Sequence, residues 1–339
     1  MEGAGGRDVH SDGVLVRFGE IGIKSAPVRR LMLERLRDNL LAGMEREKVE
    51  GDVSLIGARL WMVGPDPMRL LDVAQRTFGV VSASPVRKVA PTIEAIGAAA
   101  VPMAMERTGW KTFALRTTRD GEHPFTSQDV GVQVGSLIWK AVEAAGGKPK
   151  VDLTKPDLEI FVDVRKGHAF VFRLTVDGPG GIPVGSQGVA LALLSDESSF
   201  LAAWLMMRRG CAIIGLHAGT TGSIPVDAVA ELARWGLDPE VELLPVCTGT
   251  VAKPVLLEAA AAVAKSRKAQ ALVTGDTIDS ALVGASLPVL RPVCGLDKGE
   301  VQRVRVRAKL PPIDADSILD AGSSETLESM LSMRRTVSP

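Results

Sequence analysis

The sequence predicts a multidomain α/β protein: a ferredoxin-like unit first, a second mixed unit after it, and a Rossmann-like, doubly wound parallel sheet last. Three observations carry this. Expected elements over residues 13–90 run β-α-β-β-α-β, the order of a ferredoxin-like unit. From Val189 onward, continuous apolar strands alternate with helices, as in an open parallel sheet. Between these regions, Asp177-Gly-Pro-Gly-Gly-Ile-Pro-Val-Gly-Ser186 sets four glycines and two prolines within ten residues, the composition of a turn-rich connection. The division that follows is a flexible tail over 1–12, units over 13–90 and 91–177, a linker over 178–187, a third unit over 188–313, and a C-terminal tail over 314–339.

Each element has its own local reason. Val14-Leu-Val-Arg-Phe18 alternates and stops at Gly19, which predicts a strand. From about Pro27 to Arg46, Leu31, Leu33, Leu36, Leu40 and Met44 recur at mainly helical spacing. Two short strands follow around Gly57, then a helix from Pro67 to Arg76 and an edge strand over Val80–Val86. In the second unit a helix runs from Thr92 to Thr108 and a strand from Thr112 to Thr118. Ser127 fits the N-cap of a helix carrying Val130, Val134 and Leu137 on one face. A short strand at Val151 and a turn at Lys155-Pro156 come next, and Lys166-Gly167 joins Leu158–Arg165 to Ala169–Leu174 as a hairpin. In the third unit, strands at Val189–Leu194, Ala212–His217, Val241–Val246, Ala271–Thr274 and Val289–Arg291 are spaced by helices at Ser199–Arg209, Val226–Trp235 and Pro254–Lys265.

Composition narrows the function. Lys+Arg and Asp+Glu both number 40, and the chain carries 25 and 22 of them through Thr175 against 15 and 18 beyond it, so any polyanion must be met by a local patch. Aromatic residues make up only 4%, with no tyrosine, which limits base stacking. Cys211, Cys247 and Cys294 are too few and too widely spaced for a disulfide framework or a four-ligand zinc site, so no metal centre is expected. No apolar run approaches a membrane span, and the first residues lack the apolar core of a signal peptide, so a cytoplasmic protein is expected. Neither a glycine-rich methyltransferase fingerprint nor the His/Cys pattern of a zinc deaminase is present.

Several motifs, in order, resemble one family. Val14-Leu-Val-Arg-Phe-Gly-Glu-Ile-Gly-Ile-Lys24 is similar to the opening of tRNA 4-thiouridine synthetases (tRNA sulfurtransferases), and Arg76-Thr-Phe-Gly-Val80 resembles the close of their first domain. Phe113-Ala-Leu-Arg-Thr-Thr-Arg119 and Val151-Asp-Leu-Thr-Lys-Pro-Asp157 match the pattern of their THUMP domain. Gly180-Gly-Ile-Pro-Val-Gly185, Ala202-Ala-Trp-Leu-Met-Met-Arg-Arg-Gly210 and Pro288-Val-Leu-Arg-Pro-Val-Cys-Gly-Leu-Asp-Lys298 resemble their PP-loop domain, in the archaeal type that has no added rhodanese domain. The resemblance implies a THUMP RNA-binding domain over 91–177 and a PP-loop ATP pyrophosphatase domain over 188–313. It implies tRNA, held near its acceptor end, as the partner, with ATP and Mg²⁺ as cofactors, a homodimer, and a sulfur donor. Arg17, Lys24, Arg116, Arg119, Lys148, Lys150 and Lys155 are the candidate phosphate contacts, positioning RNA without reading its sequence.

One segment departs from that pattern. The family loop reads Ser-Gly-Gly-x-Asp-Ser, whose glycines bring bare backbone N–H groups to a phosphate at a helix N-terminus. Here the stretch is Leu194-Ser-Asp-Glu-Ser-Ser-Phe-Leu201, one residue shorter, with no glycine and with Asp196 and Glu197 where a polyanion would dock. Ser195, Ser198 and Ser199 remain as hydroxyl remnants, and Thr274-Gly275 matches the start of a second nucleotide-holding segment. The archaeal type carries Cys-x-x-Cys where this chain reads Cys247-Thr-Gly-Thr250, leaving Cys247 as the candidate sulfur carrier without its partner. The residues therefore predict a tRNA-binding protein with an eroded ATP loop. The alternative is a non-catalytic protein that binds tRNA or a partner, pairing with an intact paralogue.

Overall fold

A computed structural model of the protein describes residues 11–56, 59–219, 224–245, 251–281, 283–313 and 327–337. The chain divides into two compact units, one of Met1–Arg17, Val49–Gln75 and Ser82–Asp177, the other of Phe18–Lys48, Arg76–Val81 and Gly178–Pro339.

The first unit is built on a mixed sheet. Its strands are β1 (Gly13–Phe18), β2 (Asp52–Ile56), β3 (Arg59–Val63), β4 (Val80–Val89), β5 (Thr112–Arg119), β6 (Lys150–Val151), β7 (Leu158–Arg165) and β8 (His168–Phe172), in the spatial order β2-β3-β1-β4-β8-β7-β5-β6, with β9 (Val176–Asp177) added on β4. With α1 (Ala26–Arg46) following β1 in the chain and α2 (Pro67–Gln75) following β3, the elements run in the β-α-β-β-α-β order that the sequence predicts, and their strands pair as β2-β3-β1-β4. The expected edge strand at Val80–Val86 needs correction. It runs to Val89 and lies inside the sheet, pairing Arg87, Lys88 and Val89 antiparallel with Val171, Phe170 and Ala169. Pro85 lacks an N–H for the ladder, but this is tolerated here and the strand continues past it.

Helices α3 (Ile93–Glu106) and α4 (Ser127–Ala144) cover one face of β5, β7 and β8, burying Ile96, Met103, Val130, Val134 and Ile138 against Ile160, Val162, Val164 and Val171. The cap of α4 is Thr126 and not Ser127. The Thr126 hydroxyl accepts from the Asp129 N–H at 3.1 Å while the Asp129 carboxylate accepts the Thr126 N–H at 2.7 Å. That reciprocal pair satisfies two end groups at once and outcompetes a serine one residue later.

In the second unit, β10 (Val189–Leu193), β11 (Ala212–Gly219), β12 (Val241–Pro245), β13 (Ala271–Val273) and β14 (Val289–Leu290) are parallel, in the order β14-β13-β10-β11-β12. Alternation along β10 sends Ala190 and Ala192 to one face, under α5 (Glu197–Arg208) and α6 (Val226–Arg234). Leu191 and Leu193 go to the other, under α7 (Lys253–Ser266). Helices on both faces make the sheet doubly wound. Chain order reverses direction beside β10, because β11 and β12 lie on one side of it and β13 and β14 on the other. In such sheets the ligand crevice opens at this switch point, beyond the strand C-termini.

Two expectations about connections change. The glycine-proline stretch is a fastened strap: Gly178 and Gly180 donate backbone hydrogen bonds to Val81 and Val80, Gly79 donates to Gly180, and Ile182 to Arg208. The C-terminal tail contributes α9 (Leu327–Ser332) and β15 (Arg335–Val337), which pairs antiparallel with β12 and closes that edge. Among the described residues no helix is long and apolar enough to cross a membrane.

Candidate functional site: a capped switch-point loop and a cationic strand end

The switch point places Leu194–Asp196 directly after β10 and at the start of α5. His217, inside β11 and 2% exposed, donates from Nδ1 to the Leu194 carbonyl at 2.8 Å and fixes where the loop begins. The loop then closes on itself. The Ser199 hydroxyl accepts the N–H groups of Ser195 at 2.9 Å and Asp196 at 3.0 Å, and donates to the Asp196 carbonyl at 2.6 Å. The Asp196 carboxylate accepts the Ser199 N–H at 2.8 Å as the N-cap of α5. Three backbone donors of the loop and helix end, those of Ser195, Asp196 and Ser199, are therefore already engaged, the last by a resident carboxylate.

Sequence reasoning placed both acidic side chains against a docking phosphate, and the structure corrects half of that. Asp196 occupies the helix end, whereas Glu197 pairs with Arg305 at 3.1 Å. Of the remnant serines, Ser199 is buried within the cap, while Ser195 and Ser198 are half-buried. Thr274 is also committed, its hydroxyl donating to Asp276 at 3.0 Å. Gly275 serves close packing, since a Cβ there would meet the backbone of Ser198 and Ser199.

Beside Gly275 lies a cluster that no local motif announces. Asp276 takes Lys253 Nζ at 2.6 Å and Arg291 Nε at 3.1 Å. Burial pushes the Asp276 carboxyl up, but hydrogen bonds from Lys253 and Thr274, the Lys253 charge and the Arg291 hydrogen bond outweigh it and hold the group below the usual carboxylate range. Lys253 and Arg291 are 38 residues apart in sequence, at the start of α7 and just after β14, so only the fold brings them together. These two cations, which could otherwise draw in a phosphate, already share an internal carboxylate.

Cys247 and the Cys247–Thr250 stretch lie outside the described residues. Cys211 and Cys294 are half-buried free thiols, and burial pushes the Cys211 thiol up, away from the thiolate form that carries sulfur.

The candidate RNA contacts fall into separate groups. Lys148, Lys150 and Lys155 are exposed; Lys150 lies in β6, which pairs with the first two residues of β5, and the other two sit on the loops flanking it. Asp157 holds this strand end by accepting the Lys111 and Thr112 N–H groups at 2.9 Å each. Arg116 reaches the same end through the Leu153 carbonyl at 2.7 Å, and it is paired with Glu159 at 3.0 Å. Arg119 lies at the opposite end of β5, donating to the Gly121 carbonyl. Lys24 is exposed in the other unit, after a turn of 3₁₀ helix at Glu20–Ile23.

Arg17 is half-buried and has partners inside its own sheet. Its guanidinium lies 4.8 Å from the centre of the Phe172 ring and donates to the Ser84 hydroxyl at 2.9 Å. Burial first, with the nearby charges of Arg59 and Arg165 and against the pull of Asp163, pushes it down to about 10. A groove of about 850 Å³ runs between β5 and α4, lined by Leu115, Thr117, Gly131, Val132, Gly135 and Leu153. Its walls are mostly apolar, and Arg116 and Lys140 are the cations that line it.

Comparison with known proteins adds the context. A THUMP domain model matches residues 90–173. A probable tRNA sulfurtransferase of Halobacterium salinarum is 36% identical, the match covering 92% of this chain and 87% of that protein. One of Methanosarcina acetivorans is 30% identical, over 85% and 79%. Among solved structures, a 4-thiouridine synthetase–RNA complex with bound ATP superposes with a TM-score of 0.77 at 20% identity, covering 96% of this chain and 98% of that one. A Pyrococcus horikoshii protein superposes at 0.74 with 24% identity, over 88% and 99%. At these identities the structural likeness establishes the fold.

Proposed function

We propose, from the premise that the chain belongs to the tRNA sulfurtransferase family, that it binds tRNA and does not use ATP at the loop between β10 and α5. Residues 13–90 and 91–177 are read as the RNA-holding domains and 188–313 as a PP-loop-type domain. One observation carries the ATP half of this reading: the Ser199 hydroxyl and Asp196 carboxylate take up the N–H groups of Ser195, Asp196 and Ser199. A triphosphate arriving there would have to displace a buried, mutually satisfied cap and face a fixed negative charge. The residues present therefore do not fit the nucleotide. They do not fit Mg²⁺ either, because Asp196 spends an oxygen on the cap and Glu197 is paired with Arg305. Adenylation would fall to a partner, such as an intact paralogue.

Titration calorimetry with ATP and Mg²⁺ tests this directly, and the expected result is no heat of binding. Micromolar binding, with pyrophosphate released when tRNA is added, would restore the adenylating role that family membership supports. The RNA half rests on the lysines around β6. Charge reversal of Lys148, Lys150 and Lys155 to Glu is expected to weaken binding of a full-length tRNA by on the order of 10–100-fold in 0.1 M salt, and to flatten the salt dependence by about two to three counterions. All three side chains are exposed, so the melting temperature should stay put. An unchanged affinity would remove this strand end from the RNA footprint.

A further inference from the structure

The C-terminal unit carries a cationic surface that the sequence motifs leave unassigned. Helix α8 (Lys298–Ala308) reads Lys-Gly-Glu-Val-Gln-Arg-Val-Arg-Val-Arg-Ala, four cations to one acid, and that acid, Glu300, caps its own helix. Arg305 is spent on Glu197. Arg303 and Arg307, one turn apart, share a face. Arg307 donates to the Gly178 carbonyl at 2.8 Å, and Arg208, at the end of α5, donates to the adjacent Pro179 carbonyl at 3.0 Å. Two guanidinium groups thus grip consecutive carbonyls of the strap. Neutral acceptors do nothing to cancel their charge, and each planar fork keeps further donors in reserve. Arg209 follows directly and is exposed, as are Arg303 and Arg307. Among the described residues, the side chains of Arg209 and Arg303 make no hydrogen bond or ion pair. Burial, then the like charges of Arg307 and Arg209, hold the Arg208 guanidinium below its ordinary value, while Glu20 pulls the other way. Like charges held this close in fixed positions form a field that an external anion relieves.

We propose that Arg208, Arg209, Arg303 and Arg307 form a second phosphate-gripping surface, on the C-terminal unit, which contacts the RNA backbone. It is built from α5, α8 and the strap, independently of the β5–β6 strand end, and it rests on the reading that the protein binds tRNA. A ridge with two anchored and two uncommitted guanidinium groups suits a chain of phosphodiesters better than one isolated phosphate. A phosphate would enter as a bidentate partner of the exposed guanidinium groups, leaving the Gly178 and Pro179 contacts in place.

The test uses the full-length protein and a transcribed full-length tRNA. Arg209→Glu with Arg303→Glu is expected to weaken binding on the order of tenfold or more in 0.1 M salt, and to lower the salt slope by about one to two. Arg209→Gln with Arg303→Gln should show a smaller loss in the same direction. Neither pair touches the strap carbonyls, so the melting temperature reports whether the fold is kept. If wild-type protein binds tRNA and both variants bind equally well with the same slope, this inference is overturned while the tRNA-binding reading stands. If the wild type fails to bind tRNA, both fall. Inorganic phosphate should displace the RNA no better than chloride at equal ionic strength. Preferential displacement would assign the surface to small phosphates and overturn the RNA assignment.

Discussion

Gly275→Ala lowers the unfolding free energy by about 3 kcal/mol, measured by urea denaturation, because the added methyl collides with backbone and not with a movable side chain. The ideal Cβ would lie 2.6 Å from the Ser198 carbonyl carbon and 2.8 Å from Ser199 Cα, and closer still to the Ser199 nitrogen. Relief requires α5 to shift away from the segment after β13. That helix carries Phe200, Leu201 and Trp204, all at most 1% exposed, so the shift would propagate into the core. A loss of a few tenths of a kcal/mol would show that the segment moves freely and that the closed loop is soft. In that event the barrier to nucleotide entry would be correspondingly low.

Arg334→Ala is expected to cost about 2–4 kcal/mol, also by urea denaturation. Glu242 is 1% exposed within β12 and is held by Arg334 Nε at 2.8 Å, by Arg267 at 3.4 Å and by the Thr336 hydroxyl at 3.3 Å. Removing one partner of a buried charge typically costs 3–5 kcal/mol, and the remaining Arg267 contact softens the loss. Adding Glu242→Gln to Arg334→Ala should recover part of it, since the uncompensated carboxylate is then gone. A single substitution within 0.5 kcal/mol of wild type, or a double mutant worse than the sum of the singles, would rule out this pair as the anchor of β15.

The doubly wound sheet was legible in the sequence because its central strand is buried on both sides, so Val189–Leu194 reads as a continuous apolar run. The α5 boundary was not. Helical periodicity begins at Ser199, but Asp196 caps the helix with Ser199 as its reciprocal partner, and serine is a weaker signal at that position than the usual Glu or Gln. A closer signal was present: Asp at N-cap with a short polar side chain three residues on describes a self-satisfied turn as well as it describes an eroded phosphate loop. The Lys253–Asp276–Arg291 cluster could not be found from periodicity at all, because its members belong to three elements brought together by the winding order. The surroundings of Arg17 were not legible either, because its neighbours across the sheet, Phe172 and Ser84, come from strands more than sixty residues later.

Strand β4 ends one sequence unit and begins the pairing of the next, with Arg87–Val89 hydrogen-bonded to Ala169–Val171. Excising the stretch that matches the THUMP model, 90–173, would therefore cut along a seam and not between modules, leaving β8 with a bare row of amides and carbonyls. The two front units share a common ladder. An evolutionary graft of this THUMP-matching region would have to carry β4 along with it.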